Sequence, residues 1–250
     1  MLPHARQFGM GLAVNVAFAG LAAAAGGVGL SGAIVGIVLG TGIYGALGPP
    51  GFALLLVFFV CGTAATKMGY KVKAARGIAQ ERGGRRGARN ALANVGAPFV
   101  LAMLAAMAPG SDLLVLGFVA SLATALSDTA ASEIGKLWGR RTFLITTLRP
   151  VPPGTEGAIS LEGTLAGLGG AAIVAVTGGP LLRWDVTAIG IVTGAGFAGM
   201  LLESLLGALL DALKGVDNDF VNFLNTVMGA LLAMGMGALV YRPFPVLEIF

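Results

Sequence analysis

The sequence is poor in charged residues and contains only one cysteine and one histidine. Charged side chains make up 11% of its 250 residues, against roughly 25% in soluble proteins. Hydrophobic residues make up 56% and the mean hydropathy is +0.87, so the chain lacks the polar surface that would coat a water-soluble globule. Cys61 alone excludes an intrachain disulfide framework. His4 alone, at the N-terminus, argues against a buried histidine base or a histidine-rich metal site.

Long apolar runs instead predict an all-α, polytopic membrane helical bundle. A transmembrane helix needs about 20 mostly apolar residues. Eight stretches approach this requirement, so we expect about eight transmembrane helices, between seven and nine, in one integral membrane domain over residues 1–250. These stretches are Phe8–Ala25, Val28–Leu47, Phe52–Thr66, Asn90–Ala108, Leu113–Ile134, Leu161–Thr177, Val186–Leu210 and Val221–Tyr241.

Basic residues concentrate in two connections, residues 67–89 and 136–160. The first holds eight Lys and Arg residues against one acid, Glu81. Two predicted spans separate the connections, so both lie on one side of the membrane. The positive-inside rule makes that side cytoplasmic, or its stromal equivalent, and places both termini on the other side. Eight basic residues in one loop exceed what orientation requires, so we expect both loops to contribute to an active site.

The fifth predicted span carries a polar stripe. At 100° per residue, Ser132 and Lys136 share a helix face with Asp128. Ionisable groups at membrane depth are costly and are functional candidates by default. Asp128 and Lys136 lie two turns apart, about 12 Å along the axis, so they cannot pair well directly. A metal ion or a phosphate between them could connect them.

Further polar residues lie within or beside other spans. Glu203 shares a helix face with Gly196, Gly199 and Gly207, which would hold it against a neighbouring helix. The other acids and amides of this kind are Glu133, Glu156, Glu162, Asn90, Asn94, Asn222 and Asn225. For Asn90 and Asn94, a structural and a functional role are equally well supported by the sequence.

These residue types predict a Mg²⁺ site beside a phosphate site. Carboxylate, hydroxyl and amide oxygens suit Mg²⁺, and guanidinium groups bind phosphates through paired hydrogen bonds. The sequence lacks a Walker A loop, and its Gly194–Gly199 match to the dinucleotide fingerprint lies inside an apolar span without a preceding strand. We therefore expect phosphoryl or nucleotidyl transfer from a polyphosphate donor to a membrane lipid, with no nucleic-acid partner.

Several segments resemble known families. Residues 127–139, SDTAASEIGKLWG, resemble a segment of the membrane CTP-dependent lipid kinases, which include dolichol kinase and phytol kinase. Four further segments are similar to the phytyl-phosphate kinase family, also catalogued as domain of unknown function 92 and including transmembrane protein 19. They are GGRRGARN at 83–90, PGTEGAIS at 153–160, EGT at 162–164 and VNFLNT at 221–226.

The resemblance implies transfer of a phosphoryl group from CTP, or UTP, to phytyl monophosphate at the lipid bilayer, as in prenylquinone and tocopherol synthesis. A phosphate monoester is already anionic near neutral pH and needs no general base, only charge neutralisation. We expect Asp128, with Glu162 or Glu203, to hold Mg²⁺. The candidate catalytic residues are Asp128, Glu133, Lys136, Glu162 and Glu203, and the candidate substrate- and nucleotide-binding residues are Lys67, Arg85, Arg86, Arg89, Asn90, Asn94, Ser132, Arg149, Thr155, Glu156, Asn222 and Asn225.

Three other functions stay open at this point. An isoprenoid alcohol kinase would need Asp128 or Glu133 as a general base. A cytidylyltransferase would release pyrophosphate instead of CDP. A transporter of an organic phosphate would also carry intramembrane acids, although the sequence shows no inverted repeat. A second copy of the chain, in a homodimer, is a further candidate partner.

Overall fold

The computed structural model describes residues 2–211 and 217–241, with side chains for 6–210 and 217–241. Within these residues the chain is almost entirely helical, and seven helices are long and apolar enough to cross a membrane. This confirms the predicted all-α, polytopic membrane bundle. The helices are α1 (Leu2–Ala24), α2 (Leu30–Lys67), α3 (Tyr70–Ala75), α4 (Ala88–Met107), α5 (Asp112–Trp138), α6 (Leu161–Leu182), α7 (Val186–Asp211) and α8 (Asn218–Val240).

Helix α2 is long enough to cross a membrane twice. As one straight helix its 38 residues would extend about 57 Å, nearly twice the roughly 30 Å hydrocarbon core. Gly48 interrupts it with φ 64° and ψ −160°, and two prolines follow, where they can begin a new helix without an N–H donor. The chain reverses there, because Lys67 Nζ at the end of α2 donates to Ala25 O, just before α2, over 2.6 Å. The halves 30–47 and 49–67 are therefore antiparallel, and each corresponds to one of the spans predicted from the sequence.

Helix α5 is the centre of the bundle. It packs against α2, α4, α6, α7 and α8, and residues 116–128 are all buried. Glycines let the neighbouring backbones approach it closely: a Cβ at Gly170 of α6 would lie 2.9 Å from Leu126 O, and one at Gly163 would lie 2.7 Å from Ala131 O. The polar stripe of α5 therefore faces protein and not lipid.

The connection between α5 and α6 contains a short antiparallel hairpin that the sequence analysis did not predict. Strand β1 (Thr142–Leu144) pairs with β2 (Ala158–Ser160). Ser160 ends β2 and also caps α6, since Gly163 N donates to its Oγ over 3.1 Å. The turn before β2 rests on α7, where a Cβ at Gly157 (φ 72°) would lie 2.6 Å from Ser204 O. The hairpin thus holds residues 154–160 over the ends of the helices.

Candidate functional site

A polar cavity of about 380 Å³ lies at the end of the bundle where both basic connections meet. Its walls come from the ends of α4, α5, α6, α7 and α8, from the segment 80–90 and from the hairpin. Among the described residues, five Arg and Lys side chains and six carboxylates line it, so the charges are nearly balanced. The large basic excess of the loops therefore does not extend to the cavity wall.

One wall of the cavity is acidic. Asp128 of α5 and Glu203 of α7 lie within hydrogen-bond reach of each other. Glu156 of the hairpin connection and Lys136, two turns further along α5, lie close enough to act on both electrostatically. Because two neighbouring carboxylates repel each other, this pair needs a proton or a cation between its oxygens. The arrangement brings together three of the acids that the sequence analysis proposed.

Another part of the lining is basic and comes from the segment 82–89, which leads into α4. It contains Arg82, Arg85, Arg86 and Arg89. Arg86 is the least exposed of the four. Burial lowers the pKa of its guanidinium to about 10, and the negative charges of Glu133 and Asp128 act in the opposite direction. Arg86 is therefore still protonated at neutral pH and can pair with an anion in the cavity.

The position of Arg86 is fixed by contacts to α4 and to both halves of α2. Its Nη1 donates to Asn90 Oδ1 over 3.3 Å, and its guanidinium lies 5.1 Å from the ring centroid of Phe58. A Cβ at residue 32 would lie only 2.2 Å from the carbonyl oxygen of Arg86, so only glycine fits at position 32. Asn94 Nδ2 continues the network by donating to Asn90 O over 3.0 Å.

Glu133 lines the cavity but is already neutralised by Lys73. The two side chains form an ion pair in which Lys73 is fully buried and Glu133 is 5% exposed. Lys73 Nζ also donates to the carbonyls of Ala65 and Thr66 at the end of α2, over 3.3 and 2.9 Å. This pairing assigns Glu133 a structural role, and it leaves the general-base role proposed for an alcohol kinase to Asp128.

Helix α8 closes one side of the cavity. Asp217 caps α8, since its Oδ1 accepts from Asp219 N over 3.2 Å. Both acids pair with Arg89 at the start of α4, at 3.4 Å in the case of Asp219. Arg89 is exposed, so this pairing contributes little stability, but it ties α4 to α8 where Asn222 reaches the cavity.

The structure brings most of the predicted site residues together. Those that line the cavity are Asp128, Glu133, Lys136, Glu203, Arg85, Arg86, Arg89, Asn90, Asn94, Ser132, Thr155, Glu156 and Asn222. Four residues do not line it. Lys67 is bound to Ala25 O, and Arg149 is exposed at the turn of the hairpin connection. Glu162 is half-buried in the first turn of α6, and Asn225 is buried between α7 and α5, beside Gly199 and Thr124.

Several lining residues were missed by the sequence analysis. Arg82 and Glu81 lie in the basic connection, and Thr129 and Thr164 lie in the segments that resemble the family. Their proximity in sequence to predicted site residues could have identified them. Ser204 adjoins Glu203. Lys73 does not line the cavity but neutralises Glu133, and it gave no signal of its own, because one lysine among eight basic residues in a connection does not show that it is buried.

The donor set fits Mg²⁺ through two carboxylates. Asp128 and Glu203 face each other in the cavity and offer hard oxygen ligands. Glu162, the alternative ligand, does not line the cavity. Among the residues that the structure describes, no cluster of three or more His, Cys, Asp or Glu side chains is arranged to hold a metal. Mg²⁺ commonly binds one or two carboxylates, with waters and substrate phosphates completing its shell, so a pair suffices.

Comparison with known proteins identifies relatives over most of the chain. Residues 13–230 match the family described as integral membrane protein DUF92. The chain is 45% identical over 204 residues to an uncharacterized membrane protein of Synechocystis sp., covering 80% of this chain and 79% of that protein. It is 41% identical over 217 residues to Protein VTE6, chloroplastic, of Arabidopsis thaliana, covering 84% of this chain and 65% of that protein.

A third relative has a lower identity to the chain. The chain is 37% identical over 188 residues to an uncharacterized membrane protein of Methanocaldococcus jannaschii, covering 75% of each protein. No solved structure matches the chain. The family match confirms the resemblance drawn from the sequence segments, and it spans the helices that build the cavity. The protein belongs to the DUF92 family of integral membrane proteins.

Proposed function

We propose that the protein is a membrane kinase that transfers a phosphoryl group from CTP to an isoprenyl monophosphate, such as phytyl monophosphate, in a Mg²⁺-dependent reaction. The observation that carries the proposal is the polar cavity, which is lined both by the pair Asp128 and Glu203 and by the arginines of the segment 82–89. Acidic and basic walls in one cavity suit two phosphorylated substrates and a divalent cation. The match to the DUF92 family agrees with the resemblance of the sequence segments to the phytyl-phosphate kinase family, which implies this class of substrate.

In the proposed reaction an oxygen of the acceptor phosphate attacks the γ-phosphorus of CTP. The bond from that phosphorus to the β,γ-bridging oxygen breaks, and the products are CDP and the isoprenyl diphosphate. Arg82, Arg85 and Arg86 offset the repulsion between the two anions as they approach. Lys136 binds donor phosphate beside Asp128. The acceptor needs no deprotonation, since a phosphate monoester carries about −1.5 to −2 charges at neutral pH.

Mg²⁺, when bound, would be held by Asp128 and Glu203 and would neutralise charge on the donor phosphates. Glu156, from the hairpin connection, adds negative charge near this pair. Asn222 reaches the cavity from α8 and can orient a phosphate oxygen or a water. The cavity lies on the side of the basic connections, which the positive-inside rule makes cytoplasmic or stromal.

The neutralised Glu133 favours the phosphate acceptor over an alcohol. An alcohol kinase needs a free carboxylate to take the hydroxyl proton. Glu133 is ion-paired with Lys73, and Asp128 interacts with Glu203 through a side-chain hydrogen bond. A phosphate acceptor makes no such demand on either residue.

The test is a matrix of nucleotides and acceptors with the purified protein in lipid nanodiscs. CTP, UTP or ATP is combined with phytol or phytyl monophosphate, with and without Mg²⁺, and products are identified by mass. We expect CDP and phytyl diphosphate from CTP and the monophosphate. Phosphorylation of phytol alone would establish an alcohol kinase, pyrophosphate release a cytidylyltransferase, and uptake of organic phosphate into vesicles without nucleotide a transporter.

Carboxylate variants test the site itself. Asp128→Asn and Glu203→Gln are each expected to lower kcat by at least about a hundredfold, about 2.7 kcal/mol in activation free energy, and to raise the Mg²⁺ concentration for half-maximal rate. Glu162→Gln removes an acid outside the cavity and is expected to change kcat by less than about twofold. A loss from Glu162→Gln as large as from Glu203→Gln would refute this pair as the metal ligands.

A further inference from the structure

A second pocket, of about 80 Å³, lies between α1, the two halves of α2 and α4. Its lining is apolar almost throughout and includes four phenylalanines: Phe18, Phe52, Phe58 and Phe59. Along α2 it extends from Gly32 to Leu39, a distance of about 10 Å at 1.5 Å per residue. The pocket is therefore a narrow apolar channel directed from the cavity side into the membrane interior.

This apolar pocket and the polar cavity share a boundary. Arg86, Asn90 and Asn94 line both. At the boundary the guanidinium of Arg86 lies over the ring of Phe58, while its charge acts on Asp128 and Glu133 in the polar cavity. A ligand that spans the boundary must be apolar over most of its length and anionic at one end.

We propose that the apolar pocket binds the isoprenyl tail of the acceptor, with the monophosphate held at Arg86, and this inference rests on the proposed function. A single branched chain fits a narrow channel between helices, and one terminal phosphate matches one guanidinium flanked by two amides. The channel is shorter than an extended phytyl chain, so its depth admits the proximal isoprene units and the distal units continue between the helices toward lipid.

Gly36 controls the depth of the channel. It lines the pocket one turn, about 6 Å, beyond Gly32, which contacts the carbonyl of Arg86. A Cβ at Gly36 would meet no atom within 4 Å, so a larger side chain can enter the pocket without moving the backbone. Gly194 of α7 is a matched control, because its Cβ would also meet no atom within 4 Å and it lines neither pocket.

The kinetic test compares Gly36→Leu, Gly194→Leu and the unsubstituted protein in nanodiscs, with CTP and Mg²⁺. Acceptors are dimethylallyl monophosphate, whose C5 tail reaches only the mouth, and phytyl monophosphate. We expect Gly36→Leu to raise KM for phytyl monophosphate at least tenfold and to change kcat/KM for the C5 acceptor less than twofold. Gly194→Leu should alter neither value. Equal effects of Gly36→Leu on both acceptors, or no effect on either, would overturn the proposal.

A binding test separates this inference from the proposed function. A phytyl monophosphate analogue with a diazirine in its second isoprene unit is photolysed with the unsubstituted protein, and labelled peptides are identified by mass spectrometry. We expect labels in residues 28–39 and 52–59, reduced by competing phytyl monophosphate and by Gly36→Leu but not by Gly194→Leu. Labelling there without kinase turnover would reject the kinase and keep the pocket. Turnover with labels elsewhere, or displacement by a bilayer phospholipid as effective as by phytyl monophosphate, would reject the pocket.

Discussion

The buried pair of Lys73 and Glu133 provides the sharpest test of how the cavity is held together. Lys73 is fully buried, and its ammonium group has three N–H donors. The structure supplies three acceptors: the carbonyls of Ala65 and Thr66 at the negative end of α2, and the carboxylate of Glu133 on α5. Lys73 thus joins α3, the end of α2 and α5 at the cavity wall.

The two single substitutions should differ in cost. Glu133→Gln leaves the buried ammonium of Lys73 without its counter-charge, and we expect the free energy of unfolding to fall by about 3–5 kcal/mol. At about 2–4 °C per kcal/mol for a chain of this size, Tm should fall by about 6–20 °C. Lys73→Met leaves Glu133 facing a second cation, Arg86, which acts on it electrostatically. We therefore expect Lys73→Met to cost less than Glu133→Gln. The double variant removes both charges and should recover most of the loss.

The assay is thermal unfolding of the four proteins in one detergent, followed by tryptophan fluorescence, together with rates of the proposed Mg²⁺-dependent kinase reaction below the transition. Because Glu133 is assigned a structural role, its substitution should lower Tm while the Mg²⁺ concentration for half-maximal rate stays unchanged. Additive losses in the double variant, or a Tm decrease below about 2 °C for Glu133→Gln, would refute the assignment of a buried, coupled pair.

Three further measurements address other parts of the structure. Burial lowers the pKa of Arg86 to about 10. The KM for phosphorylated substrates should therefore be constant from neutral pH to about 9 and should rise near pH 10, where Arg86 loses its proton. Arg86→Gln should have a raised KM at neutral pH that does not increase further near pH 10. Gly229→Ala would place a Cβ 1.9 Å from Thr124 Oγ1, so α8 must shift away from α5. We expect the free energy of unfolding, measured by chemical denaturation, to fall by about 1–3 kcal/mol, and Thr124→Ala to restore part of that loss. Burial and the hydrogen bond from the Tyr241 hydroxyl to Asp185 Oδ1 raise the pKa of Tyr241 to about 12. Tyr241→Phe should therefore remove from the ultraviolet titration the absorbance change of a phenol that ionises near pH 12.

The membrane spans and the chemistry of α5 could be predicted from the sequence because both depend on local pattern. Apolar runs of sufficient length specify helices in lipid, where every backbone polar group must be paired within its own segment. A polar stripe at helical spacing specifies an internal face, since lipid exposure of Asp128 or Lys136 would be too costly. Glu203 was predicted to lie inside the bundle in the same way, because it shares a helix face with glycines.

The phase of a helix and the course of a loop could not be predicted in the same way. Glu162 was a candidate metal ligand, yet its neighbours Gly163 and Thr164 line the cavity and Glu162 does not, because each step along a helix rotates the side chain by 100°. The hairpin likewise turns Glu156 toward the cavity and leaves Arg149 exposed. Both outcomes depend on how α6 and the hairpin dock on α5 and α7.

Composition and apolar periodicity by themselves determined that this protein is a helical membrane bundle with polar residues enclosed at one end, because the cost of exposing charge to lipid depends on residue type and spacing alone. Only the tertiary structure decided that Lys73 neutralises Glu133 and that Asp128 meets Glu203. These contacts join residues distant in the chain. Their distances are set by the packing of whole helices against α5, and no local pattern contains that information.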